Sequence, residues 1–138
     1  MTSKPYLDDL AVAKKAVEIA RENPDFVYKV PDEGACVYVE DREFSPRGSC
    51  LFGQALLALG ANPDEIPEDV GIVPLLHQMR NGEADWDWGR QTQLQKEMSR
   101  TQGAQDGGDP WWSAISGLEN HLARLEGPVQ TSMERRGW

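Results

Sequence analysis

The fold is decided where the chain reads Gly-Ala-Cys-Val-Tyr-Val (residues 34–39) and, after a polar loop, Gly-Ser-Cys-Leu-Phe-Gly-Gln-Ala-Leu-Leu (residues 48–57). The first piece is rich in β-branched and aromatic residues, which favours a strand. A similar run, Phe26–Val30, precedes it, and the four residues between them begin with proline and end with glycine, as in many turns. The two runs therefore predict a β-hairpin that places Phe26 opposite Val39.

The second piece predicts a helix from Cys50 to Leu59. Ser49 can act as its N-cap, and Gly60 follows its last residue. Gly53 lies inside this helix, where glycine costs about 1 kcal/mol relative to alanine. We therefore expect another element to approach the helix closely at Gly53.

The remaining sequence predicts four more helices. Apolar residues recur at three- and four-residue steps in the first and the last of them, and proline or glycine follows each helix. The expected fold is mainly α (α+β), with about five helices and one β-hairpin in a single domain over residues 1–128. A flexible tail over residues 129–138 is expected to follow. The four helices lie within Leu7–Glu22, Ile72–Met79, Glu83–Ala104 (polar and rich in glutamine) and Pro110–Gly127.

Length and charge exclude several classes of function. A chain of 138 residues can bury one core without disulfides or metals. No stretch approaches the roughly 20 apolar residues of a membrane span, and the first residues lack the apolar run of a signal peptide, so we expect a cytoplasmic protein without a membrane partner. The formal net charge of -9 argues against direct binding of nucleic acid, which requires a basic surface.

Few residues are candidates for catalysis. Cys50 would lie in the first helical turn, where the helix dipole and free amide groups lower the pKa of a thiol and create a nucleophile. A base would also be needed, and His77 and His121 are the two histidines of the chain. In a reducing cytoplasm Cys36 and Cys50 are free thiols. Since free cysteines are also common core residues, we expect no enzymatic activity and keep a cysteine enzyme or ligand sensor as the alternative.

Metals and cofactors are not expected. The two cysteines and two histidines lack the two-to-four-residue spacing that is typical of closed zinc sites. The segment Asp85-Trp86-Asp87-Trp88-Gly89 begins like a calcium loop, but Arg90 and Lys96 stand where that loop needs glycine and glutamate. No glycine-rich phosphate loop follows a predicted strand.

The chain contains five tryptophans, which is many for its length. Trp111 fits the apolar face of the last helix, whereas Trp112 points about 100° away from it. Exposed tryptophans are enriched among the residues that dominate binding energy at interfaces. The alternative is that the tryptophans fill gaps around a small core. The predicted partner-binding surface consists of Trp86, Trp88, Trp112, Asp85 and Asp87.

Acidic residues occur in groups along the chain, for example Asp32-Glu33, Glu40-Asp41 and Glu68-Asp69. A solvated surface that keeps the protein soluble is the simplest interpretation of these groups. Two sharper interpretations stay open. The acidic groups could dock on a basic partner, or they could imitate nucleic acid.

Three segments carry a resemblance to known proteins: Cys36-Val37-Tyr38, Cys50-Leu51-Phe52-Gly53-Gln54-Ala55-Leu56, and the run from Gln105 to Ile115. They resemble the Cys-Tyr strand, the Ser-Cys-Leu-x-Gly-x-Ala-Leu helix and the Gln-Asp-x-Gly-x-Pro-Trp segment of small uncharacterised proteins from actinobacteria and their bacteriophages. The resemblance covers about residues 35–120. It implies an actinobacterial or phage origin and no particular activity. The chain differs in a longer loop, residues 42–48, and in its glutamine-rich segment.

Together these observations predict a non-enzymatic accessory protein of phage origin. It would bind a host or phage protein through an acidic surface that bears tryptophans. The alternatives are a small enzyme or ligand sensor that uses a cysteine thiol with a histidine, and an acidic mimic of nucleic acid.

Overall fold

The computed structural model describes residues 4–29, 37–41, 43–68, 70–82 and 88–125. These residues are mainly helical and contain one two-stranded antiparallel hairpin, which confirms the predicted fold class. Short 3-10 turns occur at Pro5–Leu7, Pro63–Glu65 and Trp88–Arg90. The longer elements are α1 (Asp9–Glu22), β1 (Val39–Glu40), β2 (Arg47–Gly48), α2 (Leu51–Ala58), α3 (Ile72–Asn81), α4 (Gln93–Asp106), α5 (Trp111–Ala114) and α6 (Ser116–Leu125).

Helix α1 follows the predicted apolar pattern. It begins after Asp8, whose carboxylate accepts the backbone N–H of Ala11 at 3.0 Å and caps the helix. It ends before Pro24, because the residue that precedes a proline is disfavoured in the helical region. Its buried face packs against α2, α4 and α6. That face consists of Val12, Ala13, Ala16, Val17 and Ala20.

The β-hairpin lies later in the chain than predicted. Val39 pairs with Gly48, and the predicted pairing of Phe26 with Val39 is wrong. The carbonyl of Phe26 instead accepts the backbone N–H of Trp111 at 2.9 Å. The segment before β1 pairs with residues after β2 instead of with Phe26. The N–H groups of Ser49 and Cys50 donate to the carbonyls of Tyr38 and Val37, and these hydrogen bonds continue the β1–β2 pairing. Residues 30–36, the predicted turn and start of the second strand, lie outside the described residues.

Helix α2 begins one residue later than predicted. Cys50 occupies the N-cap position and provides no side-chain hydrogen bond there, while the hydroxyl of Ser49 lies 3.2 Å from that of Tyr28. The prediction that Ser49 caps this helix is therefore wrong. The predicted close approach at Gly53 is confirmed, because a Cβ atom at this position would overlap the carbonyl oxygen of Tyr38.

Helix α4 lies in the polar, glutamine-rich segment of the sequence, yet several of its polar side chains are buried. Its glutamines Gln95, Gln102 and Gln105 are buried. The side chain of Gln105 accepts the N–H of Leu51 at 2.7 Å, at the start of α2. That of Gln102 accepts the N–H of Ile72 at 2.8 Å, at the start of α3. Helix α4 thus supplies side-chain acceptors to two helices whose own N-cap residues supply none.

The core is continuous between the helices and the segment before β1. Its largest fully buried side chains include Trp111, Tyr38, Phe52 and Met98. The hydroxyl of Tyr38 donates to the carbonyl of Val70 at 2.6 Å and accepts from the Gln102 side chain at 2.7 Å. The buried phenol is therefore hydrogen-bonded as well as packed.

The predicted last helix is divided at Ile115 into α5 and α6. No helix of the described segments has the length and apolar character needed to cross a bilayer. Residues 126–138 lie outside the described residues, so the domain boundary at residue 128 and the tail over residues 129–138 stay predictions.

Candidate functional site

Three exposed apolar side chains lie on two segments that are joined by hydrogen bonds. Phe26 is 45% exposed, Val27 44% and Trp112 57%. Val27 forms an antiparallel bridge with Pro110, and the N–H of Trp112 donates to the carbonyl of Pro24 at 2.9 Å. We call Phe26, Val27 and Trp112 the Trp112 patch.

The two adjacent tryptophans have opposite environments. Trp111 is 1% exposed, and its ring centroid lies 4.6 Å from that of Phe26 with the planes tilted by 53°. Trp112 is turned to solvent. The prediction that Trp111 belongs to the core and Trp112 points away from it is confirmed. Because Phe26 rests on a buried indole, its exposed edge is held in a fixed place, which lowers the entropic cost of binding a partner.

Two carboxylates that form no ion pair in the described structure flank the patch. Asp25 precedes Phe26, and Asp109 precedes Pro110, which pairs with Val27. Both carboxylates are exposed, and neither forms an ion pair with any residue that the structure describes. By contrast, Arg21 is paired with Glu119 at 2.7 Å. A partner that carries cations beside an apolar group would complement this arrangement.

A groove of about 530 Å³ adjoins the patch. Tyr28 is one of its lining residues, and the Tyr28 hydroxyl accepts the N–H of Val37 at 3.1 Å and lies 3.2 Å from the hydroxyl of Ser49. A second groove, of about 710 Å³, lies between α1 and α6, and the Arg21–Glu119 ion pair already satisfies charges along it. We favour the first groove because exposed aromatic and aliphatic side chains line it. Its lining residues are Phe26, Val27, Tyr28, Lys29, Val37, Glu40 and Ser49.

The rest of the predicted partner-binding surface is largely outside the described residues. Asp85, Trp86 and Asp87 belong to the undescribed range 83–87, and Trp88 is described only as the first residue of a 3-10 turn. The prediction that these residues join Trp112 in one surface stays a prediction.

The catalytic candidates lie on separate elements. Cys50 is fully buried at the N-cap of α2, and its N–H donates to the carbonyl of Val37 at 3.1 Å. His77 lies on α3, with its Nδ1 atom 3.1 Å from the Asn81 side-chain nitrogen, and His121 is buried on α6. Cys36 lies outside the described residues. Within the described ranges no three potential metal ligands cluster together.

The setting of Cys50 differs from that of reactive cysteines. Reactive cysteines are partly exposed and lie in electropositive surroundings, whereas the Cys50 side chain has no access to solvent. The N-cap position keeps Cys50 at the N-terminus of α2, so its burial, and not its place along the helix, argues against reactivity. The structure thus accounts for Cys50 as a core residue.

We therefore expect Cys50 to be alkylated slowly in the native protein. In a Cys36→Ser variant, where Cys50 is the remaining thiol, iodoacetamide should react about a hundredfold more slowly in buffer than in urea, since reaction requires a local opening. Mass spectrometry at timed intervals measures both rates. Equal rates in the two conditions would contradict the burial of Cys50 and revive the thiol hypothesis.

Sequence reasoning missed three exposed apolar residues. Phe26 and Val27 were assigned to a hairpin strand, and Phe44 lay in a loop that was read as polar. Phe44 is 85% exposed between β1 and β2. An aromatic residue within a short loop of charged residues, proline and glycine is a sequence signal for exposure.

Comparisons with protein-family models, with curated proteins and with solved structures find no match to this chain.

Proposed function

We propose that this chain is a non-enzymatic accessory protein, of phage origin, that acts in the cytoplasm by binding a host or phage protein through the Trp112 patch and the acidic groups beside it. The observation that carries the proposal is the exposure of Trp112 next to a fully buried Trp111. The phage origin rests on the resemblance of the Cys50 and Trp111 segments to small phage proteins.

The energetics of an exposed indole support an interaction role. Trp112 leaves more than half of its surface in water, although burial of a large aromatic side chain stabilises a folded protein by about 2 kcal/mol. Phe26 and Val27 also stay partly exposed on the neighbouring segment. Single exposed apolar residues are ordinary, but three on two paired segments favour an interface.

The charges define the chemistry of the partner. The chain has a formal net charge of -9, and the carboxylates of Asp25 and Asp109 form no ion pair in the described structure. A guanidinium group could bind such a carboxylate and stack on the Trp112 indole. The proposed partner is therefore a protein with an apolar recess rimmed by arginine or lysine.

The Trp112→Ala variant should lose this partner. When immobilised wild-type protein is incubated with lysate of an actinobacterial host, with and without phage infection, we expect one protein to be retained near equimolar amounts. Trp112→Ala should bind it about thirtyfold more weakly, as expected for a residue that contributes about 2 kcal/mol to binding. Quantitative mass spectrometry of the eluates, followed by a titration of the purified pair, measures the effect.

Phe44→Ala provides the matched control, because Phe44 is an exposed aromatic residue outside the patch. It should retain the partner as the wild type does, and circular dichroism should show that both variants are folded. Equal retention by wild type and Trp112→Ala would overturn the proposal. If the retained protein binds DNA and DNA displaces it from the chain, the acidic-mimic alternative would replace the accessory role.

A further inference from the structure

The backbone of Val27 presents an open edge at an isolated antiparallel bridge. The Val27–Pro110 bridge is flanked by the hydrogen bond from the Trp111 N–H to the Phe26 carbonyl, so it is a non-hydrogen-bonded antiparallel pair. In such a pair the N–H and C=O of the residue point away from the paired segment. Neither Val27 nor Lys29 forms a backbone hydrogen bond with any residue in the described part of the chain.

The groove of about 530 Å³ lies along this same segment, since Phe26, Val27, Tyr28 and Lys29 all line it. Its volume is within the range of sites that bind small ligands and short peptides. An exposed, apolar strand edge is a template for pairing with another chain, and natural proteins usually cover or charge such edges. Here Val27 is nearly half exposed at the edge.

We propose that the partner binds by strand addition, pairing an extended segment in antiparallel orientation with the Val27 edge. This inference rests on the proposed function and specifies how the partner is recognised. Main-chain hydrogen bonds to Val27 would supply affinity, and the side chains that alternate along the added strand would supply specificity.

Charge complementarity defines the sequence of that segment. Asp25 and Lys29 lie two residues before and two residues after Val27, both are exposed, and neither forms an ion pair with a described residue. Asp25 belongs to the turn in which the Phe26 N–H donates to the Asn23 carbonyl, so it lies beyond the end of the paired edge, where a long basic side chain of the partner would reach it. Opposite charges across an interface are favourable, and like charges are unfavourable. Read from its N-terminus, the partner segment therefore carries an acidic residue near Lys29, then an apolar residue opposite Val27, then a basic residue near Asp25.

Two synthetic peptides with blocked ends test this proposed charge pattern of the partner segment. One has the sequence Thr-Glu-Thr-Val-Thr-Arg-Thr, and the other has the two charges exchanged. In NMR titrations of the wild-type chain, the first peptide should shift the amide signals of Val27 and Lys29 and bind about tenfold more tightly than the second, because the second places like charges beside Asp25 and Lys29. An Asp25→Lys/Lys29→Glu double variant should reverse this preference.

Methylation of the valine nitrogen in the first peptide removes a main-chain donor and should abolish binding. The inference is overturned if the Val27 amide does not respond at millimolar peptide, if the double variant keeps the wild-type preference, or if the methylated peptide still binds. Any of these results, combined with a partner that Trp112→Ala loses, would leave the proposed function intact. Peptide binding without such a partner would instead retain the strand edge and overturn the proposed function.

Discussion

Gly53→Ala should lower the free energy of unfolding by about 3 kcal/mol, at the upper end of the usual cost of overpacking. The added Cβ would overlap the carbonyl oxygen of Tyr38 and lie 2.7 Å from its carbonyl carbon. These backbone atoms cannot move aside cheaply. The Tyr38 carbonyl accepts the N–H of Ser49 at 2.9 Å, and the Tyr38 N–H donates to the carboxylate of Glu68 at 2.9 Å.

Gly103→Ala is the matched control, because Gly103 is also inside a helix but an added Cβ would meet nothing within 4 Å. Alanine there should raise the free energy of unfolding by about 0.5–1 kcal/mol, through helix propensity alone. Urea unfolding followed by circular dichroism compares the two variants with the wild type. A Gly53→Ala protein as stable as Gly103→Ala would show that residues 37–39 do not lie against α2.

The elements that depend on local pattern could be predicted from the sequence. Helix α1 followed from the spacing of Val17 and its neighbours and from the stop at Asn23-Pro24. The close approach at Gly53 followed from the cost of glycine inside a helix. In both cases the signal lies within a few residues of the feature that it predicts.

The hairpin could not be placed in the same way, because its strands are two residues long. The formation of such short strands depends on contacts between residues that are distant in sequence. Two runs with good strand propensity therefore do not necessarily pair with each other. The carboxylate of Glu68 holds the amides of Tyr38 and Val39 at 2.9 and 3.1 Å. No sequence pattern near Tyr38 predicts that its N–H group donates to the side chain of Glu68.

Of the three residues of the Trp112 patch, the exposure of Trp112 could be predicted from the sequence, and the exposure of Phe26 and Val27 could not. Helical geometry separated Trp112 from Trp111, so its exposure followed from the sequence. Phe26 and Val27 looked like core residues of a strand, since apolar residues are most often buried. Their exposure depends on the pairing of residues 24–28 with the start of α5, which is a tertiary feature.

Gln105→Met should lower the free energy of unfolding by about 2 kcal/mol, the cost of leaving a buried backbone donor without a partner. Gln105 is fully buried, and its Oε1 atom accepts the Leu51 N–H at 2.7 Å. Cys50 offers no side-chain acceptor to α2, so the acceptor must come from another element. Methionine has nearly the length of glutamine and no strong acceptor, so this variant removes the cap without opening a large cavity.

Gln105→Ala should cost more, about 4 kcal/mol, because a cavity is added to the lost cap. Lys96→Met provides the control on the same helix, since Lys96 is exposed, its side chain forms no hydrogen bond or ion pair with a described residue, and its replacement should change stability by less than about 0.5 kcal/mol. Urea unfolding gives the three values, and hydrogen exchange at the Leu51 amide tests the cause, because exchange there should accelerate most. If Gln105→Met were as stable as Lys96→Met, the capping of α2 by α4 would contribute nothing to stability.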